Sequence, residues 1–251
     1  MEKYFNINKS GYSISCKIYF ADLKTVKKVV IYGHGFSGHK DNNAAEKFAE
    51  FVLKKYKDIA VITYNAPCHG DDVRKKLILD DCMKYIGLVT EYAKDRFSPE
   101  AIFGYATSFG GYLLLKYIAD FANPFKKIAL RCPAVNMHDV ILDRIITPEE
   151  LQLLSKDKPE HIGFDRKIKI TKSFVDELYA NDIAKLDYSP FAESILILHG
   201  TADELVPYDG VKAFAEKNGI CFIPVEKADH RFKNPVYMDN AIKAIVDFFE
   251  F

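Results

Sequence analysis

The sequence lacks any excess of charge: 35 lysines and arginines face 35 aspartates and glutamates in 251 residues. A nucleic-acid or membrane-surface partner calls for a basic excess or stripe, so neither is expected. The short basic pieces Lys54-Lys55 and Arg74-Lys75-Lys76 read as solvated helix faces. The N-terminus, MEKYFNINKSGYSISC, has no long apolar core and no small-residue cleavage site. It reads as neither signal peptide nor membrane anchor. There is no C-x-x-C: five cysteines (Cys16, Cys68, Cys82, Cys132, Cys221) lie far apart and are odd in number. That argues against a disulfide framework or structural zinc site and fits a reducing cytoplasm. Each reads as a small core hydrophobe. No internal repeat or low-complexity segment is seen, and no feature bears on oligomeric state.

What is present is an ordinary globular composition, 49% hydrophobic and 28% charged, long enough for one sizeable α/β domain with an insertion. The chain is organised around Ala101 to Leu115, AIFGYATSFGGYLLL. A short apolar run turns through Ala106-Thr107-Ser108-Phe109-Gly110-Gly111 and enters a helical run. Small residues on both sides let the backbone bend, lifting Ser108 clear of the sheet edge. The plainer alternative is a serine that only caps the helix.

Residues 3–20 alternate at period two around Gly11 and read as an edge hairpin. Val29 to Tyr32 and Ile59 to Tyr64 are continuous apolar runs, the mark of strands buried on both faces. Between them Asp41 is expected to cap a helix. A long helix spans about 80–96, and Lys127 to Arg131 is a further strand. Strand–helix alternation then stops. Residues 133–191 carry short amphipathic pieces, with a helix start at Thr147-Pro148-Glu149-Glu150, a small alternating strand over 167–170 and a helix from Thr171 to Ala180. Nearly sixty residues is too long for a plain connection. The segment is therefore expected to be a cap or lid inserted into a core of residues 1–132 and 192–251. Alternation resumes with strands at 194–200 and 220–225, a helix from Pro207 to about Asn218, and a C-terminal helix over 235–250.

In open parallel α/β sheets, ligands bind at the carboxyl ends of the strands. Each notable polar cluster follows a strand: His34-Gly35-Phe36, His69, Ser108, Asp203 and His230. A hydroxyl nucleophile needs a base within reach, and the base needs an orienting carboxylate. Ser108, His230 and Asp203 supply those three roles. An oxyanion needs two backbone donors, expected from Phe109, just after the serine, and from Phe36 beside Gly35. Asp229 competes for the acid role but adjoins His230, where it is better placed to hold the loop. His34 and His69 read as structural histidines, and with His39 they lack a recognisable metal-ligand spacing. Cys68 lies on a strand-end loop but not at the elbow.

These motifs resemble those of the α/β hydrolases over nearly the whole length. His34-Gly35-Phe36 is similar to the oxyanion loop, Ala106 to Gly111 to the nucleophile elbow, Leu198 to Pro207 to the acid loop and Ala228 to Phe232 to the histidine loop. Within that family the chain most resembles small bacterial cinnamoyl/feruloyl esterases, through His34-Gly35-Phe36-Ser37-Gly38-His39-Lys40-Asp41 and through the place of the cap, with a hairpin-like piece expected over 163–170. The resemblance implies an α/β fold, a mostly parallel sheet with helices on both faces, and a carboxylesterase acting on a small-molecule ester with no cofactor and no metal. The sequence departs from the family at Ala106, where glycine is usual, at Thr107 and Phe109, which flank the serine, and in the stiffer loop Ala66-Pro67-Cys68-His69-Gly70. Substrate contacts are expected from His34, Gly35, His69, Thr107, Asp139 and Asp143. For His138, Asp139, Asp143 and Arg144 a solvated helix face is an equal alternative. An aminopeptidase or acylaminoacyl peptidase, or a thioesterase, would share the triad. An aminopeptidase should offer an acid for the substrate amine, from Glu204 or the cap acids, and a thioesterase should show basic residues at the cap mouth. A non-catalytic ligand-binding protein of this fold would normally lack one triad member.

Overall fold

The computed structural model describes residues 1–164 and 166–251. The β-branched and aromatic runs become strands β1 (Glu2–Lys9), β2 (Tyr12–Phe20), β3 (Lys28–Gly33), β4 (Ile59–Tyr64), β5 (Ala101–Thr107), β6 (Lys127–Arg131), β9 (Ile195–Gly200) and β10 (Cys221–Val225). They form one eight-stranded sheet in the order β1-β2-β4-β3-β5-β6-β9-β10. Only the β1/β2 and β2/β4 pairings are antiparallel; from β4 to β10 all neighbours run parallel.

Parallel strands buried on both faces need helices on both faces. Alternate side chains of β3 divide accordingly. Val30 and Tyr32 join a core with Phe48 and Val52 of α1 (Asn43–Lys55) and Ile242, Ile245 and Phe249 of α8 (Pro235–Phe249). Val29 and Ile31 join the opposite core with α2 (Leu79–Phe97), α3 (Phe109–Asp120) and α7 (Tyr208–Asn218). Helix ends follow local chemistry. Ser98 and Gly219 take left-handed conformations that close α2 and α7, and Asn234 with Pro235 starts α8.

Between β6 and β9 lie α4 (Met137–Val140), continued by a wide helical turn, then α5 (Pro148–Leu154), β7 (Glu160–Ile162), β8 (Ile168–Ile170) and α6 (Lys172–Ala180). Thr147 and Glu150 form a reciprocal capping box on α5. Ile141, Leu154, Ile162, Ile170, Phe174 and Leu178 pack into the same core as α2 and α3. Among the described residues the segment thus shares the main core and has no separate one.

Two local expectations need correction. Asn42, not Asp41, caps α1, its side chain accepting from the Ala45 amide at 2.9 Å. Asp41 is instead drawn to the Lys40 ammonium, 3.1 Å away. The small antiparallel pair starts at Glu160, opposite Ile170, and Gly163 sits in its connection with φ +118°, a conformation side chains rarely adopt. Among the described residues no helix is long and apolar enough to cross a membrane.

Candidate active site

β5 ends at Thr107 and α3 begins at Phe109, so Ser108 alone makes the turn, at φ 52° and ψ −119°. This is a strained backbone for a residue with a side chain. Its hydroxyl makes no capping bond to the helix, so capping does not account for a serine there. The turn is held by its backbone: Ser108 N–H donates to Arg131 O at 3.1 Å, and Ser108 O accepts from Tyr112 and Ala134 at 3.1 Å each. Glycines let the neighbouring chains close in. A methyl on Gly110 would lie 2.6 Å from the carbonyl oxygens of both Gly33 and His34, and one on Gly35 would lie 3.2 Å from Ser108 Cβ. The unusual Ala106 is accommodated because its partner across the sheet is Gly33; a second methyl there would meet the Ala106 methyl at 3.3 Å.

The loop after β3 is fixed by His34. Its Nε2 accepts from the Ala66 amide at 3.0 Å, so Nδ1 carries the proton and donates to Gly35 O at 2.8 Å. Burial, then the neighbouring His69, pushes the imidazole down to about 3. His69 donates through Nδ1 to Pro67 O at 2.8 Å, and burial pushes it down to about 4. Both rings are therefore neutral scaffolding. The rings of Phe36, His69 and Phe109 pack against one another with centroids 5.5 to 6.1 Å apart. As N1 of α3, Phe109 carries an amide with no partner inside its helix.

Asp203 and His230 sit on the loops after β9 and β10. A methyl on Gly200 would lie 2.2 Å from Ala228 O, so only glycine lets these loops come together. Asp203 Oδ1 accepts from the amides of Leu205 and Val206 at 2.9 and 2.8 Å. Its Oδ2 accepts from His230 Nδ1 at 2.8 Å. His199 Nε2 approaches the same oxygen at 3.2 Å and Val206 O at 3.0 Å; facing two acceptors, it must carry the proton. Burial raises the Asp203 carboxyl, but the bonds from His199 and His230 and the His230 charge outweigh it and hold the group well below the usual range. Glu204 accepts from the His230 amide at 3.1 Å, and Asp229 accepts from Lys233 N–H at 2.9 Å, so both acids are used in holding the loop.

Cys132, Asp203 and His230 bring one ligand atom each within 4.8 Å of one another. The donor set does not suit a metal: burial holds the Cys132 thiol protonated, and both Asp203 oxygens already take hydrogen bonds.

Ser108, His230, His34, Gly35, Phe36 and Thr107 line one cleft of about 510 Å³. The segment after β6 supplies Val140, Ile145, Phe164 and Arg166 to it. No hydrogen bond joins Ser108 to His230 among the described residues, which is common before substrate binds. His69 and the Phe109 ring are buried behind the wall. Asp139 and Asp143 are outside the lining: Asp139 pairs with His138 at 3.0 Å with its side chain 62% exposed, and Asp143 is exposed. A second concavity, lined by Tyr12, Arg74 and Asp81, shares no residue with the cleft. His199 and Arg131 take positions beside these groups that the sequence does not single out; their one signal is a polar residue at the end of an apolar strand.

The sheet order, the strained serine between β5 and α3, and the Asp203–His230 loops define an α/β hydrolase fold. Residues 70–250 match the profile of the prolyl oligopeptidase family, and the chain belongs to that family. Comparison with curated proteins finds no match. Among solved structures the chain is similar to Est1E from Butyrivibrio proteoclasticus with bound ferulic acid, at 18% identity and TM-score 0.76, covering 98% of this chain and 100% of that one. It is also similar to a putative hydrolase from Agrobacterium vitis, at 17% identity and TM-score 0.75, covering 99% and 98%. Mouse alpha/beta hydrolase domain-containing protein 10 aligns at 15% identity and TM-score 0.73, covering 99% and 98%. At these identities the likeness is one of fold.

Proposed function

We propose that the protein is a serine hydrolase that cleaves small-molecule carboxylic esters in the cytoplasm through an acyl-enzyme. Ser108 Oγ attacks the carbonyl carbon while His230 Nε2 takes its proton. Asp203 holds the ring through Nδ1 and stabilises the imidazolium. The oxyanion accepts from the Phe36 and Phe109 amides. The tetrahedral adduct collapses, and His230 returns the proton to the leaving alcohol. Water, deprotonated by His230, then attacks the acyl carbon and releases the acid and Ser108. Residues 133–191 act as a cap whose Val140, Ile145 and Phe164 give the acyl group an apolar wall. No cofactor takes part.

The observation that carries this assignment is the 2.8 Å bond from His230 Nδ1 to a buried, doubly amide-bonded Asp203, in a cleft shared with a serine whose strained turn serves no cap. A second reading, amide cleavage by the same groups, is favoured by the family's name. Against aminopeptidase action, Glu204 is committed to the His230 amide. An activity screen separates the two: p-nitrophenyl esters of graded length and hydroxycinnamate esters against aminoacyl p-nitroanilides, with Ser108→Ala as control. Ester turnover that disappears in the variant is expected. Turnover confined to the anilides would replace the esterase with a peptidase.

A further inference from the structure

Arg131 is the last residue of β6 and is 6% exposed. Its side chain leaves the sheet on the side of α1 and α8, among Tyr32, Tyr105 and Phe232. Its contacts are poor for a buried cation. One Nη donates to His230 O at 3.4 Å, and the guanidinium lies 5.1 Å over the Phe232 ring. Its Nε has no hydrogen-bond partner, nor has the nearby Tyr105 hydroxyl. Among the described residues no carboxylate comes within ion-pair distance of it. Burial disfavours the charge, yet a guanidinium stays protonated in a folded protein. An uncompensated buried charge is costly to the fold, and one left so beside a nucleophile calls for a partner that arrives with the substrate.

Arg131 also lines the cleft, with Tyr32, Asn42, Thr107, Phe232 and Met238. Thr107 is both its partner in the β5/β6 register and the neighbour of Ser108. Tyr32 lies within reach of Asn42, Thr107 and Arg131 together, so polar groups converge on one spot. Lys47 and Arg166 add positive charge to the lining, whereas Asp41, its one carboxylate among the described residues, is tied to Lys40. We propose that Arg131, with Tyr32, Thr107 and Asn42, forms an anion subsite beside Ser108 that selects esters bearing a second, free carboxylate. A guanidinium fork matches a carboxylate in two parallel bonds.

The proposal rests on the ester reading of Ser108, and the test keeps the two apart. p-Nitrophenyl hydrogen adipate and p-nitrophenyl hexanoate have equal chain length and differ in the terminal carboxylate. For the wild type, kcat/KM is expected to favour the adipate ester by tenfold or more, chiefly through KM. Arg131→Met should abolish that preference and Arg131→Lys retain part of it. Free adipate should raise the melting temperature of the wild type and not of Arg131→Met. If Arg131 only holds the His230 loop, both esters lose kcat alike and their ratio stays put, which overturns the proposal. So does a wild type that handles the two esters equally, or one that adipate leaves unstabilised. Should neither ester be cleaved, the ester reading is what fails, and the adipate melting shift still decides the subsite. Should the methionine variant not fold, the lysine variant and the wild-type shift decide it.

Discussion

Gly110→Ala adds one methyl at the point where α3 crosses the end of β3. The new carbon would lie 2.6 Å from two backbone carbonyl oxygens, Gly33 O and His34 O, whereas ordinary contact begins at 3.4 Å. Relief requires α3 to back away by the difference, 3.4 − 2.6, about 0.8 Å. Neither oxygen can swing aside, because both belong to the chain that positions the Phe36 amide. The moving part carries Ser108 and the Phe109 amide. Overpacking of this kind costs ~1–3 kcal/mol, and at ~2–4 °C per kcal/mol for a chain of this size the melting temperature should fall by roughly 2–12 °C. A displacement near 1 Å at the reacting groups costs on the order of 100-fold in turnover, so kcat should fall by about that factor with KM little changed. Gly210→Ala is the matched control. It sits in α7, and an added methyl there meets nothing within 4 Å. The same chemical change should therefore stabilise by roughly 0.5–1 kcal/mol through helix propensity and leave kcat alone. Calorimetry and p-nitrophenyl ester kinetics on the two variants read both effects. A Gly110→Ala enzyme with wild-type melting temperature and kcat would refute the claim that backbone contact sets the elbow.

Asp203→Asn should lower kcat by about 10⁴-fold by freeing the His230 tautomer; steady-state kinetics at neutral pH check it, and a loss under tenfold would remove Asp203 from the acid role. His34 and His69 stay neutral in the fold at about 3 and about 4 but take protons near 6.5 when unfolded. Their contribution is therefore present above pH 6.5 and lost as pH falls toward 3, several kcal/mol in all. Urea midpoints should drop between pH 6.5 and 4, before most carboxylates titrate, and a flat profile across that window would contradict the burial argument. Iodoacetamide should modify exposed Cys221 in the folded protein and spare buried Cys16, Cys82 and Cys132, as peptide mass spectrometry would show. Early modification of Cys132 would mean that the floor beneath Asp203 opens.

The strands were legible because β3, β4 and β9 are unbroken apolar runs, which only burial on both faces explains. The elbow was legible because small residues bracket one serine between a strand and a helix. The Asp41 cap was misplaced by one residue, since Asp and Asn are equally good caps and only the position of Lys40 breaks the tie. Arg131 and His199 stayed invisible for another reason. A polar side chain at the end of an apolar strand looks the same in sequence whether it faces solvent or the floor of a cleft. Asp139 and Asp143 show the converse: from sequence a substrate contact and a solvated helix face are equal readings, and both acids are exposed and outside the cleft lining.

The central claim is that Ser108 is a nucleophile activated by His230 and Asp203. Treatment with a fluorophosphonate followed by peptide mass spectrometry tests it most directly. One covalent adduct is expected on Ser108 in the wild type, none in Ser108→Ala, and much slower labelling in Asp203→Asn. An unlabelled Ser108 in folded wild-type protein, or a Ser108→Ala variant that still hydrolyses p-nitrophenyl acetate at the wild-type rate, would contradict it.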